Sequence, residues 1–524
     1  MCLRDKNLID IHYFKLLSSF SYLLSRIKAL TLPPVPVIED VHKNKRLPGN
    51  KLLGEKTVLL TFVTVAIVTT VPLLFGSVEP LVWSIYSGAM SGVFLLTWWR
   101  EKIDLDFFKS PLLIFSLGFF LAYTLFQSMP LPVRLIGYLN PRQYRLLAES
   151  STIIASVTEW RPISYAWRNS LAWWIFLISL MLFAVVLRNR MKDKKNLLLI
   201  VWSMLGLAML EAVYGLIQTL IPTMGVLWAD VHAYLGDARG TFINRNHFAG
   251  FMEMVWPLGL ALIFIMAGEK RSKSINPPNL KIRLKNFLAS DNFGFQLCLW
   301  TAMLFILLSL LFSKSRAGVV GAMIGGVLFI LFSYIGGKRF SLLTWLIMGL
   351  GFVFLLFYSN VIGFDRIVGR FLMVDESTAS RVDIWKDTLS IIKDHPMGIG
   401  WGNFEQVMPV YNTRGPLGVR YTHAHNDYLE ILAEAGWPGF VFILGGFCLF
   451  FIPTVWKILR NGSKMSETRF FIGTGACCGI VSILFHSFFD FNLHIPANMI
   501  YFVVLMMLAT NAAQSAELPY DRPS

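Results

Sequence analysis

Two histidines, an asparagine and an aspartate (His423, His425, Asn426 and Asp427) fall within five residues in the stretch Tyr421-Thr-His-Ala-His-Asn-Asp-Tyr-Leu-Glu430. The stretch reads on through Ile431-Leu-Ala-Glu-Ala-Gly-Trp-Pro-Gly439. Imidazole is the side chain best suited to proton transfer near neutral pH. Asn426 and Asp427 can fix its tautomer or hold a substrate hydroxyl. The same residues also suit the start of a membrane helix, because Asn and Asp side chains accept hydrogen bonds from its free backbone N–H groups. The elements around them decide between chemistry and capping.

Hydrophobic residues make up 55% of the 524 residues and charged residues 15%, and the mean hydropathy is +0.57. Apolar runs recur along the whole length, each long enough to cross a bilayer at about 20 residues. The composition is that of a multipass membrane protein. The net charge of +15 sits in short clusters between the apolar runs, which is a topology signal and not a nucleic-acid groove. Cys2 lies in the amino-terminal tail. Cys298, Cys448, Cys477 and Cys478 lie in apolar runs, so neither a disulfide framework nor a cysteine metal site is expected.

Residues 1–56 form a basic cytoplasmic tail in which 9–30 can make an interfacial helix, followed by a linker from Lys43 to Arg46. Twelve spans follow, at roughly 57–76, 80–99, 111–130, 169–187, 196–221, 248–267, 295–312, 317–335, 340–358, 436–456, 470–488 and 496–513. The membrane domain is thus 57–513, with an outer loop at 359–427 and a short cytoplasmic tail at 514–524. With the amino terminus inside, the clusters at Arg100–Lys109, Arg188–Lys195, Glu269–Lys285, Lys338-Arg339 and Lys457–Arg469 all face the cytoplasm, as the positive-inside rule requires.

That orientation gathers His232, His247, His395, His423, His425, His486 and His494 on or beside the outer face. Several arginines join them. Gly236-Asp-Ala-Arg239-Gly-Thr-Phe-Ile-Asn-Arg245-Asn-His247 leads into the sixth span, and Ser313-Lys-Ser-Arg316 makes a tight turn at the membrane surface. The guanidinium fork suits phosphate oxygens, although outer arginines also snorkel to lipid headgroups. Ionisable groups crowded at one face of a membrane are costly and usually functional. In the outer loop, Val382, Trp385, Leu389 and Ile392 are expected on one helical face, with Ser380 as the cap and Asp383 completing a capping box. His395-Pro396 ends that helix, and Gly398-Ile-Gly-Trp-Gly402 makes a flexible turn. Such a helix is either a lid over a lipid-borne substrate or a static plug.

The stretch from Arg381 to Phe404, the helix start His425-Asn426-Asp-Tyr-Leu429 with Gly436 and Gly439 following, and Ser315-Arg316-Ala-Gly318 together resemble the O-antigen ligase and polymerase superfamily. Gly240-Thr-Phe-Ile-Asn-Arg-Asn-His-Phe-Ala-Gly250 and His486-Ser-Phe-Phe-Asp-Phe-Asn-Leu-His-Ile-Pro-Ala-Asn498 resemble its branch found with bacterial exopolysaccharide and O-antigen loci. The resemblance runs from about 195 to 510. It implies an all-α, GT-C-like polytopic glycosyltransferase of the bacterial inner membrane with its active site facing the periplasm. The donor would be a glycan on undecaprenyl pyrophosphate. The acceptor would be another lipid-linked glycan, lipid A-core or a protein hydroxyl, with no metal and no cofactor. The branch motifs lean towards a polymerase over a ligase.

Within that resemblance, His425 is the expected base, oriented by Asp427 or His423. Arg316 is expected on the pyrophosphate, with Arg239, Arg245, Arg381 and Arg420 as further donors. His247, Asn426, Asp490 and His494 are candidates for binding glycan, Asp490 and His494 alternatively for closing a helix end. The chemistry agrees: fixed guanidinium groups in a site of low dielectric stabilise a departing pyrophosphate. A transporter or lipid flippase is the competing class. It would carry internal repeats and mid-membrane charge, whereas the spans read as poor in charge, Glu211 being the main exception.

Overall fold

A computed structural model of the chain describes residues 48–101, 103, 110–151, 159–229, 233–268, 293–338, 376–415 and 420–515. The expected interfacial helix, the span at 340–358, His232 and the tail from 516 lie outside the described residues. The chain divides into two units, 1–56 and 57–524. In the first, the described residues 48–56 are helical.

The described residues form fifteen α-helices and a two-residue strand pair. The helices are α1 (Pro48–Thr70), α2 (Pro80–Arg100), α3 (Pro111–Gln127), α4 (Val133–Leu139), α5 (Pro141–Ser151), α6 (Trp167–Arg190), α7 (Lys194–Leu220), α8 (Arg245–Gly268), α9 (Phe293–Phe312), α10 (Arg316–Ile335), α11 (Glu376–Asp394), α12 (Phe404–Tyr411), α13 (Asp427–Asn461), α14 (Glu467–His486) and α15 (Pro496–Ser515). Eleven of the twelve expected spans fall on these helices. Nine described helices are long and apolar enough to cross a membrane, while α3 and residues 58–70 of α1 are shorter apolar segments. Helices are what such a sequence must form in lipid, because every backbone N–H and C=O has to be satisfied within the segment. Side chains mark where several begin: Ser110, Asp193, Ser315, Asn426 and Ser466 each accept a hydrogen bond from the N–H three residues on.

At the centre stands α8, whose candidate span is wholly buried. It packs against α14, α10, α9 and α7, and α14 packs in turn on α15. Around α8 lies one continuous apolar core that includes Phe251, Met254, Phe329 and Tyr501.

A second layer sits at the end of the bundle where α13 begins. It is built from α11, α12 and the first turns of α13 around Ile384, Ile391, Phe404, Met408 and Ala433. The expected apolar face of α11 is corrected in part: Ile392 is buried and Trp385 half-buried, but Val382 and Leu389 are exposed, and Ile384, Asp387, Thr388 and Ile391 face inward. Polarity hid that face, because Asp387 is buried to accept the Thr413 backbone N–H (3.3 Å) and hydroxyl (3.1 Å) and to pair with Arg414. Ser380 is not the cap either, since the helix already runs from Glu376.

The glycine turn after α11 is clamped instead of free. Within α13, Gly436 takes φ +63° and ψ −178°, a conformation open essentially to glycine alone. A Cβ there would lie 2.4 Å from the Met397 carbonyl carbon, and one on Gly398 would lie 2.3 Å from the Glu434 oxygen. The two backbones touch, and Gln127 Nε2 donates to both Met397 O (2.7 Å) and Glu434 O (3.1 Å). Asn140 Nδ2 adds a hydrogen bond to Gly398 O at 2.8 Å. The break at Gly436 splits off a short first segment of α13 that carries Asp427, Glu430 and Glu434.

Candidate functional site

Residues from four elements converge at the start of α13. The chain leaves α14 at His486 and makes a tight turn before Asn492–His494 and α15. That turn presents Asp490, which is fully buried. His425 Nδ1 lies 3.2 Å from Asp490 Oδ1, Arg381 Nη2 lies 3.5 Å from Oδ2, and the His247 ring nitrogen Nε2 lies 3.9 Å from Oδ1. Asn246 donates its side-chain amide to Oδ2. Burial alone would raise the Asp490 pKa. The hydrogen bond and charge of His425, with Arg381 and His247, outweigh it and hold the carboxyl well below the usual range. A fixed anion therefore sits against the His425 imidazole.

His425 is held from its backbone as well. Its φ is +51°, a left-handed conformation uncommon outside glycine, and its carbonyl accepts from Trp385 Nε1 at 3.4 Å. The imidazole is 28% exposed, enough for a ligand to reach it.

A second group lies beside the first. His494 Nδ1 is 2.6 Å from Asp427 Oδ1, and His494 Nε2 is 3.7 Å from Glu430 and 3.8 Å from Glu434. Burial would depress this imidazole, but Glu430, Asp427 and Glu434 hold it well above its ordinary value. Glu430 gives one oxygen to His423 Nδ1 (2.6 Å) and the other to the Ala424 N–H (2.8 Å). Phe491 joins the two groups. The His423 ring stacks on it at 3.9 Å, and His425 and His247 meet it edge-on at 5.0 and 4.6 Å.

The cations divide. Arg245 and Lys314 share Asp237, and Arg245 lies 5.0 Å over the Tyr234 ring. Arg239 is buried and donates to the Ala233 carbonyl. Arg316 is half-buried at the first position of α10, after the Ser315 cap. Arg420 stands apart, 3.1 Å from Glu405 of α12 and largely exposed.

Several sequence-based expectations change at this level. Asp490, and not Asp427 or His423, faces His425. Asp427 is taken up by His494 and by the Leu493 N–H at 3.0 Å. Asn426 spends both ends of its amide on structure, accepting from Leu429 N–H (3.1 Å) and donating to Phe488 O (3.0 Å). Sequence reading passed over Glu430 and Glu434, although the 427, 430, 434 spacing puts all three carboxylates on one helical face. It also passed over Glu253, buried in α8, whose Oε1 lies 2.9 Å from His486 Nδ1. The spans are therefore less poor in charge than expected. Among the described residues, no group of three or more His, Cys, Asp or Glu is arranged to hold a metal ion.

His395, which ends α11, belongs to a separate buried cluster. Its Nε2 lies 3.0 Å from the Tyr411 hydroxyl and 3.5 Å from that of Tyr165, and Tyr411 donates to Asp394 at 3.0 Å. Burial pushes the imidazole down to about 4, against the opposing pull of Asp394 and with a smaller push from Arg142. An unfolded histidine titrates near 6.5, so between those values the unfolded chain binds the extra proton. Stability is then complete above about pH 6.5 and falls by up to about 3 kcal/mol as pH drops to about 4. Thermal unfolding across that window should show the slope in the wild type and lose it in His395→Gln.

Residues 301–444 match the family model Wzy_C, described as O-antigen ligase. This part of the chain is similar to the O-antigen ligase and polymerase superfamily, a family of glycosyl-transfer type acting on lipid-linked glycan and acceptor. The match takes in Arg316, Arg381, Arg420, His423 and His425. The loop with Arg239 and Arg245, and the turn with Asp490 and His494, lie beyond it. No curated protein matches the chain.

Proposed function

We propose that the chain is a bacterial inner-membrane glycosyltransferase that transfers or polymerises oligosaccharide repeats carried on undecaprenyl pyrophosphate, at the periplasmic face. The observation that carries this reading is the His425–Asp490 pair, a part-exposed imidazole against a buried anion inside a family of this type. A carboxylate on Nδ1 fixes the tautomer and leaves the Nε2 lone pair to act as base. The acceptor hydroxyl oxygen attacks the anomeric carbon of the donor sugar, and its proton passes to His425 Nε2. The bond from that carbon to the pyrophosphate oxygen breaks, and the electron pair leaves on the lipid carrier. Arg316 and Arg381 stabilise that charge without a metal ion, with Arg245 and Lys314 at the neighbouring Asp237. A repeat-unit acceptor, which would make the protein an O-antigen or exopolysaccharide polymerase, is favoured over lipid A-core or a protein hydroxyl.

The test uses purified protein in detergent with a lipid-linked repeat unit and no added metal, products being resolved by size. A ladder still on the carrier lipid marks a polymerase, and a single transfer that waits for another acceptor marks a ligase. His425→Ala and Arg316→Ala should each remain folded and lose about 10²-fold or more of the rate. Wild-type products from both folded variants would remove the site assignment. No consumption of donor with any acceptor would favour a lipid or polysaccharide transporter, for which the buried Glu253–His486 pair is the supporting feature.

A further inference from the structure

The connection between α3 and α6 carries four arginines, Arg134, Arg142, Arg145 and Arg161, with no lysine and two carboxylates, Glu149 and Glu159, and a fifth arginine, Arg168, stands in the first turn of α6. It lies at the same end of the bundle as the candidate site, where the positive-inside rule leads one to expect few basic residues. Arg134, Arg145, Arg161 and Arg168 are exposed, and none of the five forms an ion pair among the described residues. The segment's described parts have a definite shape. Leu131–Pro132 pairs antiparallel with Trp160–Arg161, with Leu131 opposite Arg161, and α4 folds back on α5. Exposed apolar groups stand between the arginines, Tyr138 at 86% and Trp160 at 57%.

We propose that this hairpin and strand clamp bind the phosphate headgroups of anionic phospholipid in the leaflet at the site's end of the bundle. Its tethers keep it there. Three residues separate Gln127 of α3 from Leu131, and five separate Arg161 from Trp167 of α6, a reach of at most about 14 and 21 Å. Arginine forks take phosphate oxygens in pairs, and Trp and Tyr settle at headgroup level. A soluble polyanion would match the charge but gives no account of the exposed Tyr138 and Trp160. The hairpin also supports the outer layer. Asn140 bridges Gly398 O (2.8 Å) and Met397 N–H (3.3 Å), and the Tyr165 N–H reaches Ile399 O at 3.1 Å. Headgroup contact thus seats the turn from which α11 and Arg381 hang. The inference shares the sidedness of the proposed function and none of its chemistry.

The test is native mass spectrometry of the full chain released from neutral detergent after incubation with phosphatidylglycerol or phosphatidylcholine. Wild type should retain phosphatidylglycerol over phosphatidylcholine by on the order of tenfold, and the preference should shrink in high salt. The triple variant Arg134→Gln/Arg145→Gln/Arg161→Gln should lose it, whereas the matching Lys variant should keep part of it. Should the triple variant aggregate, Arg161→Gln alone is measured and should reduce the preference. Equal retention of the two lipids by wild type overturns the proposal, as does an unchanged preference in the Gln variants. Undecaprenyl phosphate, added well below the phosphatidylglycerol concentration, should leave the adducts in place. Displacement at that level would assign the surface to the carrier lipid and overturn the proposal. Neither readout involves glycosyl transfer, so failure of the catalytic reading leaves this test standing.

Discussion

Asp490→Asn should leave the protein folded and lower the transfer rate by about 10²- to 10⁴-fold. The substitution keeps the volume of a fully buried side chain and removes only the charge and one acceptor. What remains beside His425 Nδ1 is an amide able to donate, which favours the tautomer with Nε2 protonated and unfit to take a proton. Arg381, 3.5 Å away, loses its counter-charge in the same step, so binding of an anionic donor should tighten while turnover falls. The two effects separate in the kinetics: kcat drops and KM for the lipid-linked donor does not rise. Because the two residues act as a unit, His425→Ala/Asp490→Asn should be no slower than His425→Ala alone. A folded Asp490→Asn enzyme with the wild-type rate would show that the pair is structural.

The largest effect on stability is expected from Glu253→Ala. Glu253 and His486 are 0% and 1% exposed and 2.9 Å apart, on the two most closely packed helices of the bundle. Removing one partner leaves the other buried and uncompensated, at a cost of about 3–5 kcal/mol. The geometry adds to it, for α10 is seated directly on this pair. A Cβ on Gly321 would lie 2.3 Å from Glu253 Oε2, and one on Gly318 would lie 3.4 Å from His486 Cε1. Loss of the carboxylate therefore loosens the helix whose first residue is Arg316. Thermal unfolding in detergent should show a marked drop for Glu253→Ala, a smaller one for Glu253→Gln, and recovery in Glu253→Leu/His486→Phe, where both charges go together. An unchanged midpoint in Glu253→Ala would mean that the pair holds nothing.

Much of the helical frame was legible because a bilayer imposes a length and a composition on each span. Those signals are local, and so is the cap at Asn426. The site was legible in part: His247, His423, His425 and Arg381 were among the candidates that the structure brings together, and Asp490 and His494 stood out as polar groups at a span end. Their partners did not. Asp490 and His425 are 65 residues apart, and Glu253 and His486 are 233 apart. Sequence proximity suggested Asp427 for His425, yet the helix start points Asp427 at His494 instead. The inward face of α11 failed for a related reason. Asp387 reads as a surface residue until its distant partners, Thr413 and Arg414, are in place.

The turn built around Phe491 sets the order in which this protein can become competent during synthesis. His423, His425 and Glu430 belong to residues 423–430, while the aromatic ring against which both imidazoles rest and the carboxylate that faces His425 come from 490 and 491. A nascent chain that has completed α1 to α13 still lacks the Phe491 ring and the Asp490 carboxylate against His423 and His425. The candidate site closes only when the connection between α14 and α15 emerges, so its assembly waits on residues that lie outside the stretch matched to the family model.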